Sequence, residues 1–190
     1  MTGLALIANL LMGGWLGLEV WQIVRSRRVS GKTHDAGTFA GMWWTVDATV
    51  LVANVAGAWA SRHGATFGLS SPLRTAGVGL MVMGVAFRFY AVSYLGRYFT
   101  VRVAIQQDHR LIDTGPYRWL RHPSYTGAWL AFIGVGLVSG TWPSLAIWAL
   151  LPLTSVMRRI RVEEATLAVY FGDRYARYQH RTWCLIPWVF

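Results

Sequence analysis

The stretch IDTGPYRWLRHPSYTGAWLAF, residues 112–132, sets the reading of the whole chain. It opens on a Gly115-Pro116 turn signal. It then gathers Tyr117, Arg118, Arg121, His122 and Tyr125 around a second proline, Pro123. With no spacer it runs on into apolar sequence. A soluble loop has no reason to abut a membrane-like run so closely. A site built at the edge of a bilayer does.

Composition supports the bilayer. The chain is 54% hydrophobic and only 14% charged, with a mean hydropathy of +0.36 and 11 tryptophans. Soluble domains carry about a quarter charged residues, and Trp is enriched at the headgroup level of membranes. The length suits one domain, residues 1–190. The lone Cys184 has no disulfide partner in the chain, and no Cys/His spacing suggests a metal, so none is expected. Working outward from the opening stretch, residues 4–24, 42–60 and 73–95 each approach the ~20 apolar residues a crossing needs. Residues 4–24 lack the basic start and small-residue cleavage site of a leader, so they read as a span. Residues 127–157 read as a tight hairpin of two shorter spans, and a last helix from Arg158 to about His180 is too charged to cross. The fold class is thus an all-α integral membrane protein of about five transmembrane helices, the last two a tight hairpin. To these the sequence adds a cytoplasmic C-terminal helix and a polar cytoplasmic loop, which a family resemblance carried by residues 95–188 implies is a cofactor-binding loop.

Charge placement gives the orientation. Residues 25–42, 96–126 and 158–190 hold 4, 5 and 6 Lys/Arg, against two (Arg62 and Arg74) between spans two and three. By the positive-inside rule those three segments are cytoplasmic and the N-terminus lies outside. The net charge of +10 is therefore mainly topology rather than a sign of nucleic-acid binding. Seventeen arginines against one lysine suggest a GC-rich genome, and so a bacterial cell (inner) membrane.

The chemistry collects on that cytoplasmic side, in residues 97–125 and 158–181. TVRVAI (100–105) alternates as a short extended segment does. His122 precedes Pro123, which suits the first turn of span four. His122, Ser124 and Tyr125 therefore crowd a helix start, where free N–H groups favour anionic ligand groups. Arg159 and Glu163 are four apart on one helical face, with Tyr170 seven further on. Cation, anion and aromatic together suit a zwitterionic ligand. The alternative for this helix is an interfacial one whose arginines meet anionic lipid. Gly172 suits a helix end and Asp173 a cap for the next turn. Glu19, Asp47 and Arg88 fall in proposed spans, where a charge needs a partner or a function, and Asp47 is a candidate partner for Arg88. The glycines of GVGLMVMG (77–84) and GVGLVSG (134–140) follow no strand and read as close-packing positions.

HRLIDTGPYRWLRHPSYTG, followed by a hairpin and then RVEEATLAVYFGDRYARYQHRT, resembles the isoprenylcysteine carboxyl methyltransferase family over residues 95–188. These are integral-membrane enzymes that use S-adenosylmethionine (SAM) without a Rossmann domain. The resemblance implies a membrane-bound SAM-dependent methyltransferase, like protein-S-isoprenylcysteine O-methyltransferase. The implied cofactor contacts are His109, Arg110, Leu111, Ile112, Tyr117, His122, Pro123, Ser124, Tyr125 and Glu163, with Arg159 at the methyl-accepting carboxylate. Where the family's eukaryotic members carry a glutamine contact, this chain has Arg102, with Gln106 and Gln107 nearby. The implied partner is a lipophilic small-molecule or prenylated substrate drawn from the bilayer. Were the acceptor an amine, it would need a base, and Glu164 is the nearest candidate. One rival uses similar sequence: NADPH-dependent sterol or isoprenoid reductases, which share an R-H-P-x-Y segment; the other alternative is a non-catalytic lipid-binding protein.

Overall fold

Apolar helices bury their side chains either in a protein core or in lipid, and the two outcomes look different. The computed structural model describes residues 3–26, 32–33, 37–67, 72–99, 104–105 and 110–187. Its helices are α1 (Gly3–Ser26), α2 (Thr38–Arg62), α3 (Pro72–Leu95), α4 (Pro123–Ser139), α5 (Trp142–Phe171) and α6 (Asp173–His180). Over residues 38–62 and 72–98 the chain is long and apolar enough to cross a membrane, yet only 11% and 28% of those apolar windows are buried within the protein. Leu51, Val55, Trp59, Val82 and Met83 all stand exposed. An apolar surface of that extent needs a nonaqueous neighbour.

The five long helices coincide closely with the five proposed spans, and α4 and α5 form the expected hairpin around Gly140 and Thr141. Gly140 ends α4 at φ 79°, and the Thr141 side chain accepts from Ser144 N to start α5. One expectation is corrected. The charged segment from Arg158 is not a separate helix; α5 runs unbroken through it to Phe171. Nothing between Met157 and Arg158 breaks a helix, and only the polarity of the residues changes there. The break comes at Gly172, φ 52°, and Asp173 lies in the first turn of α6 without making a capping bond. The extended segment shrinks to an antiparallel pair, β1 (Lys32–Thr33) with β2 (Ala104–Ile105). Residues 100–103 fall outside the described residues.

Gly77, Gly84, Gly134 and Gly136 are close-packing positions as expected, whereas Gly79 of the same run meets nothing within 4 Å. A Cβ on Gly84 would come within 2.5 Å of Ala131 N, and one on Gly134 within 2.6 Å of Gly77 O. Helices α3 and α4 therefore touch backbone to backbone, as small residues allow in membranes. Beside this seam Trp15, Phe132 and Trp148 form an aromatic row, with ring centroids 5.0 and 5.7 Å apart. Arg88 is paired not with Asp47, which is exposed, but with Glu19 of α1. Gly84→Val is expected to lower the thermal midpoint in detergent sharply, because overpacking costs roughly 1–3 kcal/mol. Gly79→Val meets nothing within 4 Å and serves as its control. Equal shifts in the two variants would contradict this packing.

Candidate functional site

The opening stretch becomes a cavity because three separate segments clamp it. Gly115–Arg118 makes one 3-10 turn, and His122 then takes the N-cap position of α4 with Pro123 in its first turn. The tail folds back alongside: Arg121 N donates to Trp183 O at 2.8 Å and His122 N to Cys184 O at 3.1 Å. Thr126 Oγ1 donates to Leu185 O at 2.8 Å. From α5, Glu164 Oε1 accepts from Arg121 Nε at 2.7 Å and lies 3.1 Å from His122 Nε2. Gln179 Nε2 of α6 donates to its other oxygen at 3.1 Å. Burial alone would raise the Glu164 pKa, but the bonds and charges of His122 and Arg121 outweigh it and hold the carboxyl at about 2.

Inside this frame, the Tyr125 hydroxyl joins the two charges predicted to share a face. Arg159 Nε donates to it at 2.8 Å, and it donates onward to Glu163 Oε2 at 3.1 Å. Arg159 is 3% exposed and also donates to Thr38 Oγ1 at 3.1 Å, so the start of α2 reaches the site. Of the sequence-predicted residues, Arg110, Leu111, Ile112, Tyr117, His122, Ser124, Tyr125, Arg159 and Glu163 line one cavity. Pro123 is fully buried within the first turn of α4. His109, Arg102, Gln106 and Gln107 lie outside the described residues. Tyr170 is exposed and away from the cavity lining.

Two expectations about roles change. Glu164 is not among the cavity's lining residues, and a carboxylate held at about 2 between two donors is a poor proton acceptor. The base role suggested for it does not suit this geometry; what it does is fix Arg121, His122 and Gln179. The start of α4 is also less open to an anion than the sequence implied. Pro123 has no N–H, and the N–H groups of Tyr125 and Thr126 are both spent on His122 O. Sequence reading missed Leu95, Tyr98, Phe99, Leu167, Tyr175 and Tyr178, which together with Arg121 complete the wall. The spacing of Tyr175 and Tyr178, three apart on an eight-residue helix with a strong apolar face, was the available signal. Tyr178 donates to Tyr117 O at 2.8 Å, and Tyr117 to Ala91 O at 3.2 Å. Burial pushes all three phenols well above their usual range, so they stay neutral.

His122, Glu164 and Cys184 bring ligand atoms within 4.8 Å of one another. Burial raises the Cys184 thiol to about 11, and the Arg121 guanidinium adjoins the trio. Both features oppose a cation there.

The model of the Isoprenylcysteine carboxyl methyltransferase (ICMT) family matches residues 77–169. The protein-S-isoprenylcysteine O-methyltransferase of Schizosaccharomyces pombe is 32% identical over 119 residues, 62% of this chain and 50% of that protein. Its counterpart in Saccharomyces cerevisiae is 33% identical over 127 residues, 65% of this chain and 53% of that protein. The chain thus spans about half the length of these curated relatives. A solved structure, described as the eukaryotic intramembrane Ras methyltransferase ICMT, is 24% identical and superposes with a TM-score of 0.62. That match covers 76% of this chain and 51% of that one. Similarity at that level shows a shared all-helical membrane fold. The resemblance read from the sequence is borne out.

The Glu164 clamp has a pH signature. Its folded pKa is depressed from 4.5, so its contribution is complete above that value and is lost as pH falls from 4.5 toward about 2. Glu164→Gln is expected to be less stable than wild type at neutral pH, and the gap in thermal midpoint should close over that acid window. A gap independent of pH would contradict the assignment.

Proposed function

We propose that this chain, whose residues 77–169 belong to the isoprenylcysteine carboxyl methyltransferase family, transfers a methyl group from SAM to a carboxylate on a lipophilic, prenylcysteine-like acceptor. The observation that carries the reading is the Arg159–Tyr125–Glu163 relay inside a single cavity. It sets one cation, one anion and one phenol side by side, and the cavity adds aromatic faces from Tyr98, Phe99 and Tyr117.

This donor set fits SAM. Glu163 is the carboxylate in the lining and would hold the ammonium. Arg110, on the exposed rim, suits the carboxylate end, a role the committed N–H groups of α4 serve less well. Neutral tyrosine faces accommodate a sulfonium through the ring quadrupole. Bound there, SAM supplies a methyl on positively charged sulfur, which passes to a carboxylate oxygen and leaves a neutral thioether. Arg159 would anchor the accepting carboxylate, its direction set by Tyr125 and Thr38. A carboxylate acceptor is already ionised at neutral pH and needs no base, which agrees with Glu164 being fully engaged elsewhere. The chain's task is alignment and exclusion of water, worth roughly 7–11 kcal/mol in favourable cases.

The same reading places all five long helices across the membrane, with the C-terminal side and the cavity in the cytoplasm. SAM then arrives from water while the acceptor stays in lipid.

Variants separate the two charged roles. Glu163→Gln is expected to weaken S-adenosylhomocysteine binding about tenfold or more, because a charge-assisted bond worth about 1.5–3 kcal/mol is lost. Arg159→Gln is expected to keep that affinity near wild type and to cut methyl transfer to N-acetyl-S-farnesylcysteine at least about a hundredfold. Full turnover in Arg159→Gln, or unchanged binding in Glu163→Gln, would contradict these assignments.

A further inference from the structure

A second cavity lies on the bilayer side of Tyr125, and its walls differ in kind. Met12, Trp15 and Leu16 of α1, Met42 and Val46 of α2, and Phe132 of α4 line it. Its charged lining residues are Glu19 and Arg88, which are paired with each other. Tyr125 lines both cavities, so one phenol divides the polar space from the apolar one. From Tyr125 to Phe132 along α4 is seven residues, or about 10 Å of depth. At the deep end the Trp15 and Phe132 rings meet at 5.0 Å.

Trp15 is held in that place. Its indole Nε1 donates to Glu19 Oε1 at 2.8 Å, and Arg88 Nη2 donates to Glu19 Oε2 at 2.7 Å. Arg88 Nη1 reaches on to Ser124 O at 3.2 Å, and Ser124 lines the polar cavity. Burying an ion pair is costly, and such a pair more often specifies an arrangement than adds stability. Here it couples the indole at the floor of one cavity to the first turn of α4 in the other. α1 lies wholly outside the matched segment 77–169.

We propose that the apolar cavity seats the tail of the methyl acceptor, head group toward Tyr125, and that Trp15 determines how long a tail is accepted. The inference rests on the methyltransferase reading and deepens it. The occupant is a single flexible hydrocarbon chain: the walls offer it thioether, aliphatic and aromatic contacts. Its polar end would emerge at Tyr125, the residue that Arg159 and Glu163 both bond. A longer chain must displace the indole from Phe132 and from Glu19; a shorter one leaves apolar wall uncovered.

Two experiments test this. In the first, N-acetyl-S-farnesylcysteine carrying a diazirine at the far end of its chain is photolysed with wild-type protein in nanodiscs, and the labelled residues are mapped by mass spectrometry. The label is expected in α1 or at Phe132, and unlabelled N-acetyl-S-farnesylcysteine should compete it away. Label on lipid-facing residues such as Leu51 or Val55, or label that is not competed, would overturn the proposal and identify the cavity as a seat for bulk lipid.

In the second, methyl transfer is compared for the geranyl, farnesyl and geranylgeranyl forms. Trp15→Ala is expected to raise the long-to-short ratio of kcat/KM about tenfold or more, a difference of ~1.4 kcal/mol. Trp15→Phe, which keeps a ring but loses the bond to Glu19, should shift the ratio less. An unchanged ratio in Trp15→Ala overturns the proposal. S-adenosylhomocysteine binding, read in parallel, reveals a collapsed fold; should Trp15→Ala fail it, Met12→Trp fills the same cavity and is expected to shift the ratio the opposite way. Competed label in α1 without methyl transfer would count against the methyltransferase reading alone. Methyl transfer with the label elsewhere would count against the tail site alone.

Discussion

The Glu164 carboxylate is the point on which the rest of this site depends. It sits on α5 where α6, the start of α4 and the returning tail converge; it accepts from Arg121 and from Gln179 of α6, and His122 Nε2 lies 3.1 Å from it. The tail is tied in through Arg121, whose Nη1 donates to Gln179 O at 3.1 Å and to Thr182 O at 2.5 Å. Without that carboxylate, the half-buried Arg121 guanidinium would lose its ion-pair partner beside a helix start, an arrangement with no compensating charge. With it, α4 begins at one defined place and Tyr125 is presented to Arg159 and Glu163. The adjoining acidic pair therefore divides its labour: Glu164 holds the architecture and Glu163 faces the cavity.

A second constraint comes from the solvent on the other side. Helices in lipid gain nothing from hydrophobic burial against one another, so their contact relies on close packing and on polar links. The glycine seam between α3 and α4 supplies the first, and Glu19–Arg88 with Ser144 Oγ donating to Ala53 O supplies the second. The seam draws Arg88 and Ser124 together, so the membrane packing and the polar cavity are built by the same two helices.

Much of this was legible in sequence. Local rules sufficed for the turn at Gly115-Pro116, the start of α4 at Pro123, the break at Gly172, and the shared face of Arg159 and Glu163. Hydropathy sufficed for five long helices and a hairpin. What stayed hidden was long-range. Glu19 meets Arg88 across 69 residues and Thr38 meets Arg159 across 121, and no periodicity records either pairing. The continuity of α5 was missed because a change from apolar to charged residues marks a change of environment, not a helix end. The role of Glu164 was missed because its neighbour Glu163, four residues after Arg159, was the one whose spacing drew the reading. The identity of its real partners depends on how the tail folds back.

The most direct test of the account is calorimetry on detergent-purified wild-type protein with S-adenosylhomocysteine and NADPH in parallel. A cavity that offers Glu163 to an ammonium and tyrosine faces to the sulfur centre should bind the adenosyl ligand saturably, in the micromolar range, and leave NADPH unbound. Binding of NADPH without the adenosyl ligand, or of neither by folded protein, would contradict it.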